Sequence, residues 1–330
     1  MAWLTGWSYR KPITISNAAT DYQTKITVYY GSGTDGDNYV YCNSHCRSDF
    51  GDIRFTKSDG NTLLPYWVES KVNSDYAIIW VKNDNTPQTT GYIYYGNTGA
   101  NSASNGDDTF ILFDDFNGDF SKWDKNELRG TVTINNGLLT MYARTSGTWG
   151  GCGVTSKNTV PNTVVIEALV KRVQSYNGGE PGLFVGLTDK TTQETTYYGF
   201  WLQKADAQLY SYTAWGRRLC AIYYDQWGYG PSSLEAYEDK WARITAKIVA
   251  ADKKTYSRFV YGSTDTTINS PASSSTLSNT YVQVHYAEAY LLNYSYCDWI
   301  AVRKYAATEP TLTFGTEETT FQRTVGFIIG

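Results

Sequence analysis

Aromatic and hydroxyl-pairing side chains crowd one stretch of the chain. WGRRLCAIYYDQWGYG begins at Trp215 and brings Trp215, Tyr224, Trp227 and Tyr229 together with Arg217 and Asp225. Sugars present C–H faces that stack on such rings, and their hydroxyls pair with Asp, Gln and Arg. The Gly-x-Gly ending and the adjacent Pro231 predict a loop. Two uses fit it: contact with a glycan or partner, and packing against its own domain.

Oxygen ligands form a second group. Asp114-Asp115 lies early in the second half of the chain and Asp298 on its last long strand. Calcium takes six to eight oxygens, so these three are candidates for a structural calcium site if the first and last strands lie side by side. The competing use is the capping of turns through side-chain to backbone hydrogen bonds. Cys42-Asn-Ser-His-Cys46 has the look of half a zinc site, but no second pair stands at zinc spacing and the other histidine is His285. A local disulfide or two reduced thiols in a loop fits better, and Cys152, Cys220 and Cys297 fall in strand-like runs that suit buried thiols. No cofactor is required by any of these patterns.

Catalytic patterns are missing. A retaining glycosidase needs two carboxyl groups about 5 Å apart. Glu235-Ala-Tyr-Glu238-Asp239 has the wrong spacing, and Glu167 and Glu288 stand alone. No G-x-S-x-G, H-E-x-x-H or glycine-rich phosphate loop occurs. The expectation is a protein that is not an enzyme.

The elements that must position these residues are strands. Charged residues are 18% of the 330, while 29 Tyr, 11 Trp and 12 Phe make aromatics 16%, a composition that excludes disorder and helical bundles. The fold class expected is all-β, with two antiparallel β-sandwich domains. RKPITIS and TKITVYY alternate with period two, and Asp59-Gly60 marks a hairpin. The first sandwich is placed at 1–98. A small, polar linker, GANSASNGDD, covers 99–108, and a second sandwich of about a dozen strands covers 109–318. Residues 319–330 form an apolar tail, in which Phe327, Ile328 and Ile329 would need to pair or dock. Net charge is −4, so no nucleic-acid footprint exists, and no apolar run suits a membrane span. MAWLTGWSYRKP lacks the features of a signal peptide, which leaves removal of a leader and assembly into a particle both open.

Several motifs carry a family likeness. Trp7-x-Tyr9-Arg10-Lys11-x-Ile13-x-Ile15, then CRSDFGDIRFTKSDG, LPYWVE, IWVKN and IYYGN resemble the domain of unknown function 2341 over residues 1 to 110. That resemblance implies extracellular proteins of archaea and bacteria, with no settled activity. FDDFNGDFSKW, NNGLL and YCDWIAVRKYAATEPTLTFG resemble the concanavalin A-like lectin/glucanase sandwich, which implies that the second domain is a concanavalin A-like jelly roll. Neither supplies a transferable catalytic residue.

The function expected from these readings is a non-catalytic attachment protein, extracellular, at a cell surface or on a virion. Its partner would be a glycan or cell-surface polysaccharide. The alternative is a structural subunit that self-assembles, or joins other structural proteins, through its sandwiches and its tail. A glycoside hydrolase or lyase comes third.

Overall fold

Alternation of apolar and polar residues gives each strand one face for a core and one for solvent. The computed structural model describes residues 2–127, 129–143, 150–173, 182–188, 197–206, 215–224, 226–229, 239–274, 276, 280–288 and 293–320. The backbone alone is described at 143, 150, 197–199, 201–206, 215–224, 226–229, 287–288 and 293. The chain forms two units, one of residues 1–110 with 306–330 and one of residues 111–305.

The first unit contains β1 (Tyr9–Ser16), β2 (Gln23–Tyr29), β3 (Tyr39–Tyr41), β4 (Arg54–Lys57), β5 (Leu63–Leu64), β6 (Tyr66–Val72), β7 (Tyr76–Lys82), β8 (Thr90–Tyr95) and a four-residue α1 (Gly106–Thr109). The second contains β9 (Leu112–Asp114), β10 (Trp123–Asn126), β11 (Gly130–Asn135), β12 (Leu138–Ala143), β13 (Gly150–Val160), β14 (Val164–Arg172), β15 (Gly182–Thr188), β16 (Tyr197–Asp206), β17 (Trp215–Tyr224), β18 (Gln226–Tyr229), β19 (Trp241–Val249), β20 (Lys254–Tyr261), β21 (Thr264–Asn269), β22 (Thr280–Glu288) and β23 (Asn293–Lys304). The chain then returns to the first unit with β24 (Thr311–Phe314) and β25 (Glu318–Thr319).

In the first unit, a sheet ordered β24-β1-β8-β4-β5, with β25 also on β1, faces a sheet ordered β3-β2-β7-β6. Ile13, Phe55, Ile93, Tyr95 and Leu312 from one pack with Ile26, Val28, Val40 and Ile79 from the other. Leu312 therefore belongs to the first core, and TLTFGTEE does not close the second sandwich as expected. Its pairing partner is β1, in the register Ile13↔Phe314 and Arg10↔Glu318. Pro12 explains the break between β24 and β25. It has no N–H to give a neighbour, so the returning chain bulges through 315–317 opposite it, while Gly315 N donates to Pro12 O at 2.9 Å.

The bulge places two consecutive carboxylates in different surroundings. Glu318 bonds Arg10, 2.7 Å from both Nε and an η nitrogen. The Arg10 guanidinium is itself buried, 4.4 Å from the Trp3 ring centroid and 3.9 Å from that of Tyr92. Glu317 accepts from Tyr95 Oη at 2.7 Å and Asn43 Nδ2 at 3.3 Å, and it lies 3.1 Å from His45 Nδ1.

The expected linker is also part of this unit. Tyr66 O accepts from Asn105 N at 2.8 Å, Ser104 Oγ accepts from Val68 N at 2.8 Å, and Arg47 donates to Ala100 O at 2.7 Å. Small polar residues here let backbone groups reach β6, and Asn105 caps α1. The C-terminal boundary shifts too, since Thr319 is in β25 and Thr320 N donates to Ser8 O. Phe327, Ile328 and Ile329 lie outside the described residues.

The second unit is a sandwich of two large antiparallel sheets, as expected. One is ordered β10-β13-β22-β15-β16-β17-β18, the other β11-β12-β23-β14-β19-β20-β21 with β9 on β23. Val154, Val185, Val284 and Phe200 of the first meet Met141, Ile166, Ile244 and Ile300 of the second. Asn136 and Gly137, at φ 51° and 72°, turn the β11–β12 hairpin. The first and last strands do pair, with Leu112 opposite Val302.

This topology predicts unequal autonomy. A fragment of residues 111–305 should fold alone with a cooperative melt, whereas 1–110 should not until a peptide of residues 306–320 is supplied. Circular dichroism melts of the three samples check it; a cooperative melt of 1–110 by itself would remove the claim.

Candidate functional site

The seven-stranded sheet carries the candidate site. Its strands alternate between positions that enter the core, such as Leu183, Val185 and Leu187, and positions outside the core cluster, such as Phe184. The non-core positions form rows across the sheet. One row runs Gly153, His285, Phe184, Trp201, Cys220, Tyr229. The next runs Thr155, Gln283, Gly186, Gly199, Ile222, Trp227.

Glycines shape the described part of these rows. A Cβ on Gly151 would lie 2.5 Å from His285 Nε2, and one on Gly153 would lie 3.1 Å from Nδ1, so the imidazole occupies space that side chains on β13 would fill. Gly186 and Gly199 face each other in the row of Gln283 and put no side chain there. His285 is half-buried as a residue, yet its Nδ1 is sealed and has no partner among the described residues. Gln283 Nε2 donates to Thr155 Oγ1 at 3.2 Å, while its buried Oε1 is unpartnered in the same sense. Buried polar atoms without partners are costly, and a polar ligand can satisfy them. Desolvation takes the His285 imidazole down from its ordinary 6.5 to about 4, so it is neutral at ordinary pH.

The structure divides the aromatic group read from the sequence. Trp215 to Tyr229 is not a loop but the β17–β18 hairpin at the sheet edge. Tyr backbones fit an extended edge as well as a turn, and β17 pairs with β16 over ten residues. By register Trp227 and Tyr229 join the rows of Gln283 and His285, and Tyr224 falls in the row of Tyr197 and Thr188. Trp215 and Arg217 take the alternate set of positions, that of Leu219 and Leu202. Asp225 lies outside the described residues. His285 and Gln283 were missed as a pair because only register, set by pairing with β15 and β13, brings them beside Phe184 and the glycines.

Asp114 has partners within its own turn. Asp114 Oδ2 accepts from Trp123 Nε1 at 2.6 Å and Oδ1 from Phe116 N at 2.7 Å, which is turn capping plus a buried indole bond. Burial raises the Asp114 carboxyl above its ordinary range despite these bonds. Asp298 is raised by burial and then by the charge of Asp115 nearby. Among the described residues, no three His, Cys, Asp or Glu side chains gather in a metal-holding group. Glu167 is on the other sheet, 3.1 Å from Arg303 and 3.3 Å from Arg243, with Thr245 donating at 2.7 Å. Burial alone would raise it; the two arginines outweigh that and hold it below its ordinary range. Cys42, Cys46, Cys152 and Cys297 are free buried thiols.

Comparison with known proteins adds the following. Residues 49–126 match the model of a domain of unknown function, DUF2341. An uncharacterized protein of Methanocaldococcus jannaschii is 32% identical over 151 residues, 42% of this chain; the alignment spans 27% of that protein's length. Among solved structures, a beta-1,3-glucanase from Mycobacterium marinum is similar at 14% identity and TM-score 0.38, over 58% of this chain and 98% of its own. Lectin I from Ulex europaeus, in complex with the methyl glycoside of α-L-fucose, is similar at 9% identity and TM-score 0.40, over 62% and 97%.

The depressed imidazole gives a pH prediction. The unfolded chain binds a proton at 6.5 and the folded chain at about 4, so this contribution is full above 6.5, falls as pH drops through that window, and levels off below it. The loss approaches roughly 3 kcal/mol at about 1.4 kcal/mol per pKa unit. Urea unfolding of His285→Gln between pH 7 and pH 4 should show a flatter profile than the parent; parallel profiles would place the imidazole in water.

Proposed function

We propose that the second unit binds an uncharged glycan and that the chain acts as a non-catalytic attachment protein at an extracellular, cellular or virion surface. The observation that carries this reading is the pair of rows containing His285 and Gln283. Two sealed polar atoms without partners among the described residues stand on one strand, Gly186 and Gly199 put no side chain into the row of Gln283, and the rows lead by register to Trp227 and Tyr229. Sugar hydroxyls both donate and accept, so they suit a neutral imidazole nitrogen and an amide oxygen. Pyranose C–H faces suit aromatic edge positions.

Binding is favoured over hydrolysis by the residue types. The non-core positions that pair by register across β13, β15 and β22 hold Gly, Thr, Tyr, Gln, His, Phe and Ala, and no Asp or Glu. A retaining mechanism needs paired carboxyl groups on one cleft, about 5 Å apart.

One observation favours assembly as a second reading. On the eight-stranded sheet the Tyr142 ring lies tilted 4.6 Å from that of Tyr294, and Lys171 Nζ lies 4.9 Å from the Tyr296 ring and 5.2 Å from that of Trp241. Tyr294 is 41% and Trp241 37% exposed, which suits contact between subunits. Gel filtration separates the readings, because a brick forms defined large assemblies and a glycan binder need not.

An array of neutral glycans tests the proposal directly. The full chain should bind a subset, and a Trp227→Ala/Tyr229→Ala variant should bind at least about tenfold more weakly, some 1.4 kcal/mol, with its melt little changed. A blank array with folded protein removes the glycan reading, as does a double variant that binds undiminished.

A further inference from the structure

Lys11 is a lysine inside a sandwich. It occupies the inward set of β1 positions, with Tyr9 and Ile15 packed on the core and Ile13 within it. Its side chain is 6% exposed, and Nζ lies 2.7 Å from Oδ2 of Asp35, itself 15% exposed. An ammonium has three N–H donors, and Asp35 is its one hydrogen-bond partner among the described residues. The cation is thus buried with most of its donors idle, which is a poor ion pair by the usual measure.

Asp35 is held firmly. Its Oδ1 accepts from Tyr41 N at 2.8 Å. The loop around it is seated on two rings: a Cβ on Gly33 would come 2.5 Å from Tyr41 Cζ, and one on Gly36 would come 2.4 Å from Tyr39 Cζ. Only glycines allow the loop so close, and that closeness brings the carboxylate over Lys11. The fully buried Cys42 feels the charge of Lys11, and the buried Tyr95 phenol that of Asp35; Asp52 in turn acts on Cys42 and Glu317 on Tyr95.

We propose that Lys11 and Asp35 condense to an intramolecular isopeptide bond, a self-made cross-link between β1 of one sheet and the loop entering β3 of the other. The reactant state is the ion pair. Nζ passes one proton to the Asp35 carboxylate, which gives a neutral amine beside a neutral acid. The amine nitrogen attacks Cγ, the Nζ–Cγ bond forms, the Cγ–O bond breaks, and the hydroxyl leaves with a second nitrogen proton as water. No oxidant or cofactor enters the balance. Burial drives the reaction, because the amide replaces two charges that the core solvates poorly. Fixed proximity supplies the rate, as it does for other well-oriented intramolecular reactions. The product retains one N–H donor where the ammonium had three.

Intact mass of the full chain, denatured and with thiols reduced, decides the matter. The account expects the protein to weigh one water less than its sequence, and digestion to yield a branched peptide joining the Lys11 and Asp35 segments. Lys11→Arg and Asp35→Ala should each restore the full sequence mass, a reading that holds whether or not the variants fold. A parent chain at full sequence mass overturns the proposal. So does a water loss that maps elsewhere, for example to the Asp59-Gly60 turn.

Discussion

β1 runs between two neighbours, and one of them arrives from the other end of the chain. β8 follows it within the same stretch of sequence, but β24 and β25 return only after the whole of residues 111–305. Everything in the first unit depends on that second edge. Without it Leu312 leaves the core, Arg10 keeps a buried guanidinium with its carboxylate gone, and Tyr95 and His45 lose Glu317. Removing one partner of a buried charge pair costs about 3–5 kcal/mol, less where one side is partly exposed as Glu318 is. The topology itself is affordable because closure entropy grows only with the logarithm of loop length. The second unit also pairs its own first and last strands, Leu112 with Val302, so it can fold before the first sheet closes.

The same logic of alternate faces organises the second unit. Its core is made by ordinary Val, Ile and Leu positions. What distinguishes the seven-stranded sheet is the other set of positions, where a desolvated neutral imidazole lies over the glycines of β13 and an amide stands two residues away on the same strand. Uncharged hydrogen-bonding groups of this kind match a ligand of hydroxyls better than one of phosphates or carboxylates. In the first unit the buried charged side chains instead stand in pairs, Arg10 with Glu318 and Lys11 with Asp35, the second being the pair proposed to condense.

Period-two alternation made the strands legible, and with turn chemistry it located RKPITIS, TKITVYY and the Asp59-Gly60 hairpin without the structure. It does not encode partners. Thr311 to Phe314 reads as a strand in either unit, and only its pairing with Ile13 to Ser16 decides which. Composition misleads in GANSASNGDD, because small polar residues suit a linker and equally suit a segment whose backbone is bonded by Arg47 and Tyr66. The aromatic stretch after Trp215 was visible as a cluster, but its division into two sets of register positions was not. Asp114, Asp115 and Asp298 were legible as oxygen ligands, whereas the bond from the Trp123 indole to Asp114 is set by the fold and could not be read from the sequence. His285 drew notice only as a lone histidine, since its meaning depends on glycines more than a hundred residues away.

Hydrogen exchange tests the central claim, that the returning strands complete the first unit. In the full chain carrying Glu318→Ala, amides of β1, β8 and β24 should lose protection together, while those of β14, β19 and β23 keep theirs. Unchanged protection in β1 alongside a frayed β24 would contradict it, because the first sheet would then stand without its far end.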